Sequence, residues 1–206
     1  MSSKIFGVAF LALVVVASFF FLFNKDEQII NYPVKNTKIV AFGDSLVEGV
    51  GASSGNDFIS QVERKLGIKI ENMGRSGDTT LSGLERLGEV IAEDPGIVIL
   101  LLGGNDVLRR IPKEETFQNL ETIIKKLEEN KTLVILLGIR GGILSDGYED
   151  DFEKLAKKYK TLYVSNVLKN IITKRDLMYD GIHPNDKGYA IIADRVGIVL
   201  EKAIMK

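Results

Sequence analysis

One histidine stands in the 206-residue chain, His183, in the run Tyr179-Asp180-Gly181-Ile182-His183-Pro184. An imidazole is the side chain best suited to take and return a proton near neutral pH. Asp180 lies three residues before it. In a tight turn that spacing lets the carboxylate accept from the Nδ1–H and leaves Nε2 free to work as a base. Gly181 permits such a turn and Pro184 stiffens its exit. The group to be activated is Ser45, in Gly43-Asp44-Ser45-Leu46, directly after the apolar run Ile39-Val40-Ala41-Phe42. A serine hydroxyl is a weak nucleophile until a neighbouring base takes its proton. Without that contact, the histidine segment would be an ordinary solvated loop.

Two more turns carry groups that suit a developing oxyanion. Leu102-Gly103-Gly104-Asn105-Asp106 closes the strand-length apolar run Ile97 to Leu102, and the Asn105 amide can donate. One such donor is worth about 10²–10³ in rate. An Asn-containing turn in which Asp106 caps the next segment would look the same. The second turn is Asn72-Met73-Gly74-Arg75-Ser76-Gly77-Asp78-Thr79, where Gly74 can offer its backbone N–H. Its plainer reading is a strand-to-helix loop capped by Asp78 or Thr79.

These turns must be positioned by regular elements, and the periodicity supplies them. Thr37–Phe42 reads as a buried strand. Phe58, Val62 and Leu66 recur at helical spacing, so Asp57–Leu66 reads as a helix with Asn56 or Asp57 near its cap. Ile68–Glu71 reads as a short strand. Leu84, Leu87 and Ile91 mark one helix ending before Asp94-Pro95-Gly96. Ile97 to Leu102 is a strand apolar on both faces, as a covered strand requires. Pro112 opens a helix whose stripe is Phe117, Leu120, Ile123, Ile124 and Leu127. Thr132–Leu137 is again a strand, and a glycine-rich loop runs from Gly138 to Gly147. Phe152, Leu155 and Tyr159 mark a helix, Thr161–Val164 a strand. The last helix begins near Asn185 or Asp186. Strands alternating with helices imply a parallel sheet covered on both faces. Such a sheet gathers the loops after its strands at one edge, where open α/β sheets bind ligands. All four turns named above follow strands or approach that edge.

Composition narrows the class. The formal net charge of -1 gives no basic field, so no nucleic-acid partner is expected. With no cysteine and one histidine, no transition-metal cluster or disulfide is expected, and the chemistry above needs neither metal nor cofactor. From Ile5 to Phe23 no residue is charged. As a helix that run is roughly 28 Å long, near the about 30 Å of a bilayer's apolar core. Residues 1–24 are therefore expected to be a membrane anchor, with a cleaved signal peptide as the alternative. Residues 25–36 read as a polar linker and 37–206 as the folded domain. Lys4 before the run places the domain outside the cytoplasm by the positive-inside tendency. Cleavage of the segment would make the protein secreted.

From about Lys38 to the C-terminus, the order Gly43-Asp44-Ser45-Leu46, Asn72-x-Gly74-x-Ser76-Gly77, Gly103-Gly104-Asn105-Asp106 and Asp180-Gly181-Ile182-His183-Pro184 resembles the GDSL-type hydrolases of the SGNH superfamily. It is most similar to the bacterial thioesterase I, lysophospholipase and arylesterase subgroup. The resemblance implies a flavodoxin-like three-layer α/β/α sandwich and an acyl-ester substrate, lipid or acylated glycan. It implies Ser45 as nucleophile and first oxyanion donor, Gly74 and Asn105 as further donors, His183 as base then acid, and Asp180 as its orienting carboxylate. An O-acetyl esterase of cell-surface glycans is the alternative activity, and a catalytically silent binding module a third reading. Val47 stands where a Gly-x-Ser-x-Gly elbow would need glycine, which argues against the ordinary α/β-hydrolase fold. The Gly138–Gly147 loop lacks the proline-containing segment expected of thioesterase-like relatives. Arg140 within it suits an anionic group or plain solvent.

Overall fold

A computed structural model of the protein describes residues 29–140 and 147–205. Five strands form one parallel sheet: β1 (Ile39–Gly43), β2 (Glu71–Gly74), β3 (Ile97–Leu101), β4 (Leu133–Leu137) and β5 (Leu162–Val164), in the order β2-β1-β3-β4-β5. β1, β3 and β4 are buried along their whole length, which is why they read as unbroken apolar runs. Strand order reverses between β1 and β3, and the crevice beyond their C-terminal ends is the place such sheets leave for a ligand.

The helices cover both faces. α2 (Phe58–Leu66) packs against α8 (Asp186–Ile204). Across the sheet lie α3 (Thr80–Glu85), α4 (Leu87–Ala92), α6 (Lys113–Glu129) and α7 (Tyr148–Tyr159), with α3 on α6 and α6 on α7. Two short helices, α1 (Ser45–Glu48) and α5 (Gly104–Leu108), start at the crevice. The expected α/β architecture with a parallel sheet is thus present.

Two elements depart from the periodicity. The second strand is not Ile68–Glu71 but Glu71–Gly74, with Val40 opposite Glu71 and Gly43 opposite Gly74. It is an edge strand with no buried residue, so backbone pairing to β1 rather than an apolar run fixes its place. The helix expected around Leu84, Leu87 and Ile91 is two helices, broken at Arg86. The break turns the Arg86 side chain into the protein, where it is 7% exposed.

The expected anchor, Ile5–Phe23, lies outside the described residues, as do residues 141–146 of the glycine-rich loop. Among the described residues no helix is long and apolar enough to cross a membrane. The later part of the expected linker is docked on the domain. Ile29, Tyr32 and Val34 pack on the core. The Ile30 N–H donates to the Lys160 carbonyl, and Asn31 Nδ2 donates to the carbonyls of Glu128 and Thr132. Lys35 meets Asp94 at 2.5 Å. All of these partners precede strands, so the described chain enters at the sheet edge opposite the crevice.

Candidate active site

β1 ends at Gly43, where a Cβ would sit 2.2 Å from the Leu101 carbonyl oxygen. Glycine lets the two strand ends close up at this point. Asp44 then caps α1, its Oδ1 accepting from the Leu46 N–H at 3.0 Å. This leaves Ser45 as the first residue of the helix, 9% exposed, at the mouth of the crevice. Burial pushes the Asp44 carboxyl up to about 7, against the pull of the Leu46 N–H.

The histidine segment is a compact turn. Asp180 Oδ1 accepts from the Ile182 and His183 N–H groups at 2.8 and 2.7 Å, and the Tyr179 N–H donates to the His183 carbonyl at 2.9 Å. The turn is seated on α8 through Asn185. Its Oδ1 accepts from the Lys187 and Gly188 N–H groups to cap the helix, while its Nδ2 donates to the Asp176 carbonyl. α8 in turn reaches the segment after α1, where Tyr189 Oη donates to the Val50 carbonyl at 2.7 Å. These contacts return the end of the chain to its beginning. His183 Nε2 lies 3.0 Å from Ser45 Oγ, and His183 Nδ1 lies 2.8 Å from Asp180 Oδ2. The imidazole bond, helped by the two backbone N–H groups, holds the Asp180 carboxyl down at about 2. Asp180 therefore stays anionic opposite Nδ1 throughout the neutral range, and Nε2 is left facing the hydroxyl.

Asn105 lies in α5, at the same crevice. Its Nδ2 donates to the Asp78 carbonyl at 2.9 Å, which leaves the second amide hydrogen available. α5 is held by Asp106, fully buried, which accepts from the N–H and Oγ1 of Thr80 and from Thr116 Oγ1.

Gly74 is not brought to this point. Its N–H donates to Asn72 Oδ1 at 2.9 Å, and its Cα faces the backbone of α1, where a Cβ would lie 2.1 Å from the Glu48 nitrogen. It is a packing glycine. The residues of that turn that line the crevice are Ser76 and Gly77. Gly77 has φ of +85°, and its N–H has no hydrogen-bond partner among the described residues. The signal for it was present in the sequence, in the Gly77-Asp78-Thr79 sequence that opens α3, but two glycines shared the turn and spacing alone could not separate them.

The crevice encloses about 240 Å³. Beyond the polar groups its wall is apolar, made by Val107, Leu108, Ile139, Leu168, Ile172 and Ile182. Arg140 also lines it and is exposed. A hydroxyl, a base, an oriented carboxylate and at least one free amide hydrogen thus converge at one end of an apolar slot. That set can attack a carbonyl and hold the charge that develops on its oxygen.

The relatives of the chain agree with this chemistry. The GDSL-like lipase/acylhydrolase family matches residues 41–191. An arylesterase of Vibrio mimicus is 30% identical over 177 residues, which cover 80% of this chain and 88% of that protein. The thioesterase 1/protease 1/lysophospholipase L1 of Escherichia coli is 30% identical over 165 residues, 76% of this chain and 79% of that one. A crystal structure of TesA superposes with a TM-score of 0.77 at 27% identity, over 82% of this chain and 100% of the other. The chain therefore belongs to the GDSL-like lipase/acylhydrolase family of SGNH hydrolases, and it is a carboxylic ester hydrolase.

Proposed function

We propose that the protein is a serine esterase that cleaves acyl esters or thioesters through an acyl-enzyme on Ser45. Ser45 Oγ attacks the carbonyl carbon while its proton passes to His183 Nε2. The tetrahedral oxyanion meets the Ser45 and Gly77 N–H groups and the Asn105 amide. Collapse expels the alcohol or thiol, which leaves with the proton from Nε2. Water then attacks the acyl carbon, gives a proton to the same nitrogen, and the acid departs as Ser45 regains its hydrogen. Asp180 holds the tautomer and stabilises the imidazolium. The observation that carries this reading is the 3.0 Å contact between Nε2 and Ser45 Oγ, backed by the carboxylate at 2.8 Å on the other ring nitrogen. The apolar wall suits the acyl half of the substrate.

The decisive experiment is covalent labelling by a fluorophosphonate, with hydrolysis of a p-nitrophenyl ester series alongside. Labelling that depends on Ser45 is expected, and labelling retained by Ser45→Ala overturns the reading.

The path of the chain favours a second substrate class, O-acetyl groups on cell-surface glycans. With Ile5–Phe23 as a retained anchor, the five residues from Asn24 to Gln28 span at most about 17 Å. Residues 30–35 dock at the end of the sheet opposite the crevice, so an anchor before them would leave the crevice facing away from the membrane, towards extracytoplasmic polymers. A preference for acetate in the ester series supports the glycan. A preference for medium or long chains supports lipid esters.

A further inference from the structure

We propose that Arg86 is a positioning residue for this hydrolase, a clamp that fixes the nucleophile turn and the oxyanion turn to each other. The inference rests on the serine mechanism above. Arg86 sits at the break between α3 and α4 with its guanidinium turned under the crevice. Nη2 donates to two carbonyls, Gly43 at 3.0 Å and Met73 at 2.9 Å. The first is two residues before Ser45. The second is the last residue but one of β2, where the chain leaves for Gly77. Nε donates to Asp78 Oδ2 at 2.6 Å. Asp78 is the residue whose carbonyl receives the Asn105 amide. One planar group therefore touches the strand that carries Ser45, the turn that carries Gly77, and the residue that aims Asn105.

A role in stability alone does not account for this choice of residue. Arg86 and Asp78 are 7% and 14% exposed, and Arg86 Nη1 is buried with no hydrogen-bond partner. The Phe42 ring lies 4.5 Å beneath the guanidinium and offers it an electron-rich face. A buried pair with an orphan donor is a poor source of stability, and apolar residues of similar volume often serve as well. What an apolar side chain lacks is a rigid fork that fixes several acceptors in one plane. Lysine lacks it too, having a single flexible ammonium.

The test uses the full chain in detergent, with Arg86→Lys and Asp78→Asn as variants. Active sites are first counted by fluorophosphonate titration. Then kcat and KM for a short p-nitrophenyl ester are measured per titrated site, together with the pH profile of kcat/KM. Small displacements of a site can cost about 10²-fold, so Arg86→Lys is expected to lower kcat per site by about 10–100-fold and leave KM within about twofold. Asp78→Asn is expected to lower kcat per site in the same direction and less severely. The pH midpoint should not move, because the Asp180–His183 turn does not touch Arg86. Unchanged kcat per site in Asp78→Asn overturns the proposal, including the case where Arg86→Lys fails to fold. A lowered melting temperature with unchanged kcat per site does so as well. A wild-type chain that is itself unlabelled and inactive overturns the serine mechanism, and this role with it.

Discussion

Asp180 and His183 are brought together by four residues of chain, whereas Ser45, Gly77 and Asn105 are brought together by the whole sheet. The first pair closes on itself through backbone N–H groups of its own turn, and its carboxylate is 43% exposed. The second group is assembled at the ends of β1, β2 and β3 and held from below by Arg86 and Asp106, both buried. The imidazole–carboxylate half is therefore local and wet, the hydroxyl half non-local and dry. The electrostatics follow the same division. Hydrogen bonding keeps Asp180 low, at about 2, while burial drives Asp44 up to about 7. Solvent access lets the first carboxylate keep its charge. Exclusion of solvent penalises the charge on the second.

The contrast can be broken most severely at its meeting point. Ser45→Ala removes the proposed nucleophile, the hydroxyl on which both halves converge, and kcat should fall by about 10⁴–10⁶. Turnover of p-nitrophenyl esters by the purified variant checks this. Next comes Asp180→Asn, which leaves the turn but offers Nδ1 the wrong partner. A loss of up to about 10⁴ in kcat is expected, with only a modest drop in melting temperature because the carboxylate is partly exposed. A large drop in stability would show that the turn is not self-sufficient. Asn105→Ala tests the buried half and should cost about 10²–10³ in kcat with KM nearly unchanged.

The smallest effect concerns Asp44 and reads stability rather than rate. From the ordinary carboxylate range up to about 7 the folded protein keeps a proton on Asp44 that the unfolded chain has released. Stability from this residue is therefore lost as pH rises through that window. Asp180 behaves in the opposite sense: its contribution is present above the ordinary range and lost only as pH falls towards about 2. Asp44→Asn should flatten the decline in melting temperature between about pH 4 and 7. Equal slopes in the variant and the wild type would refute the assignment.

Much of this was legible in the residues because it is encoded between near neighbours. The apolar runs of β1, β3 and β4 mark strands covered on both sides, and Asp57 and Asn185 cap the helices that their positions suggest. The Asp180–His183 pair was readable for the same reason, since a turn of four residues carries its own hydrogen bonds. Periodicity misplaces β2 because an edge strand needs no apolar signature, and its register comes from β1. Arg86 carries no signal in the sequence, because a lone arginine between Leu84 and Leu87 looks like the solvent side of one helix.

By itself, then, the sequence determined the alternation of elements and singled out the serine, the imidazole and the carboxylate that the fold brings into contact. Only the tertiary structure decided which glycine of the Asn72–Thr79 turn reaches the crevice and which one packs behind α1. It also decided that a buried guanidinium ties two strand ends together. The physical reason is distance along the chain. Periodicity, caps and tight turns are settled by residues a few positions apart, whereas the facing of a particular N–H depends on backbone that arrives from another strand.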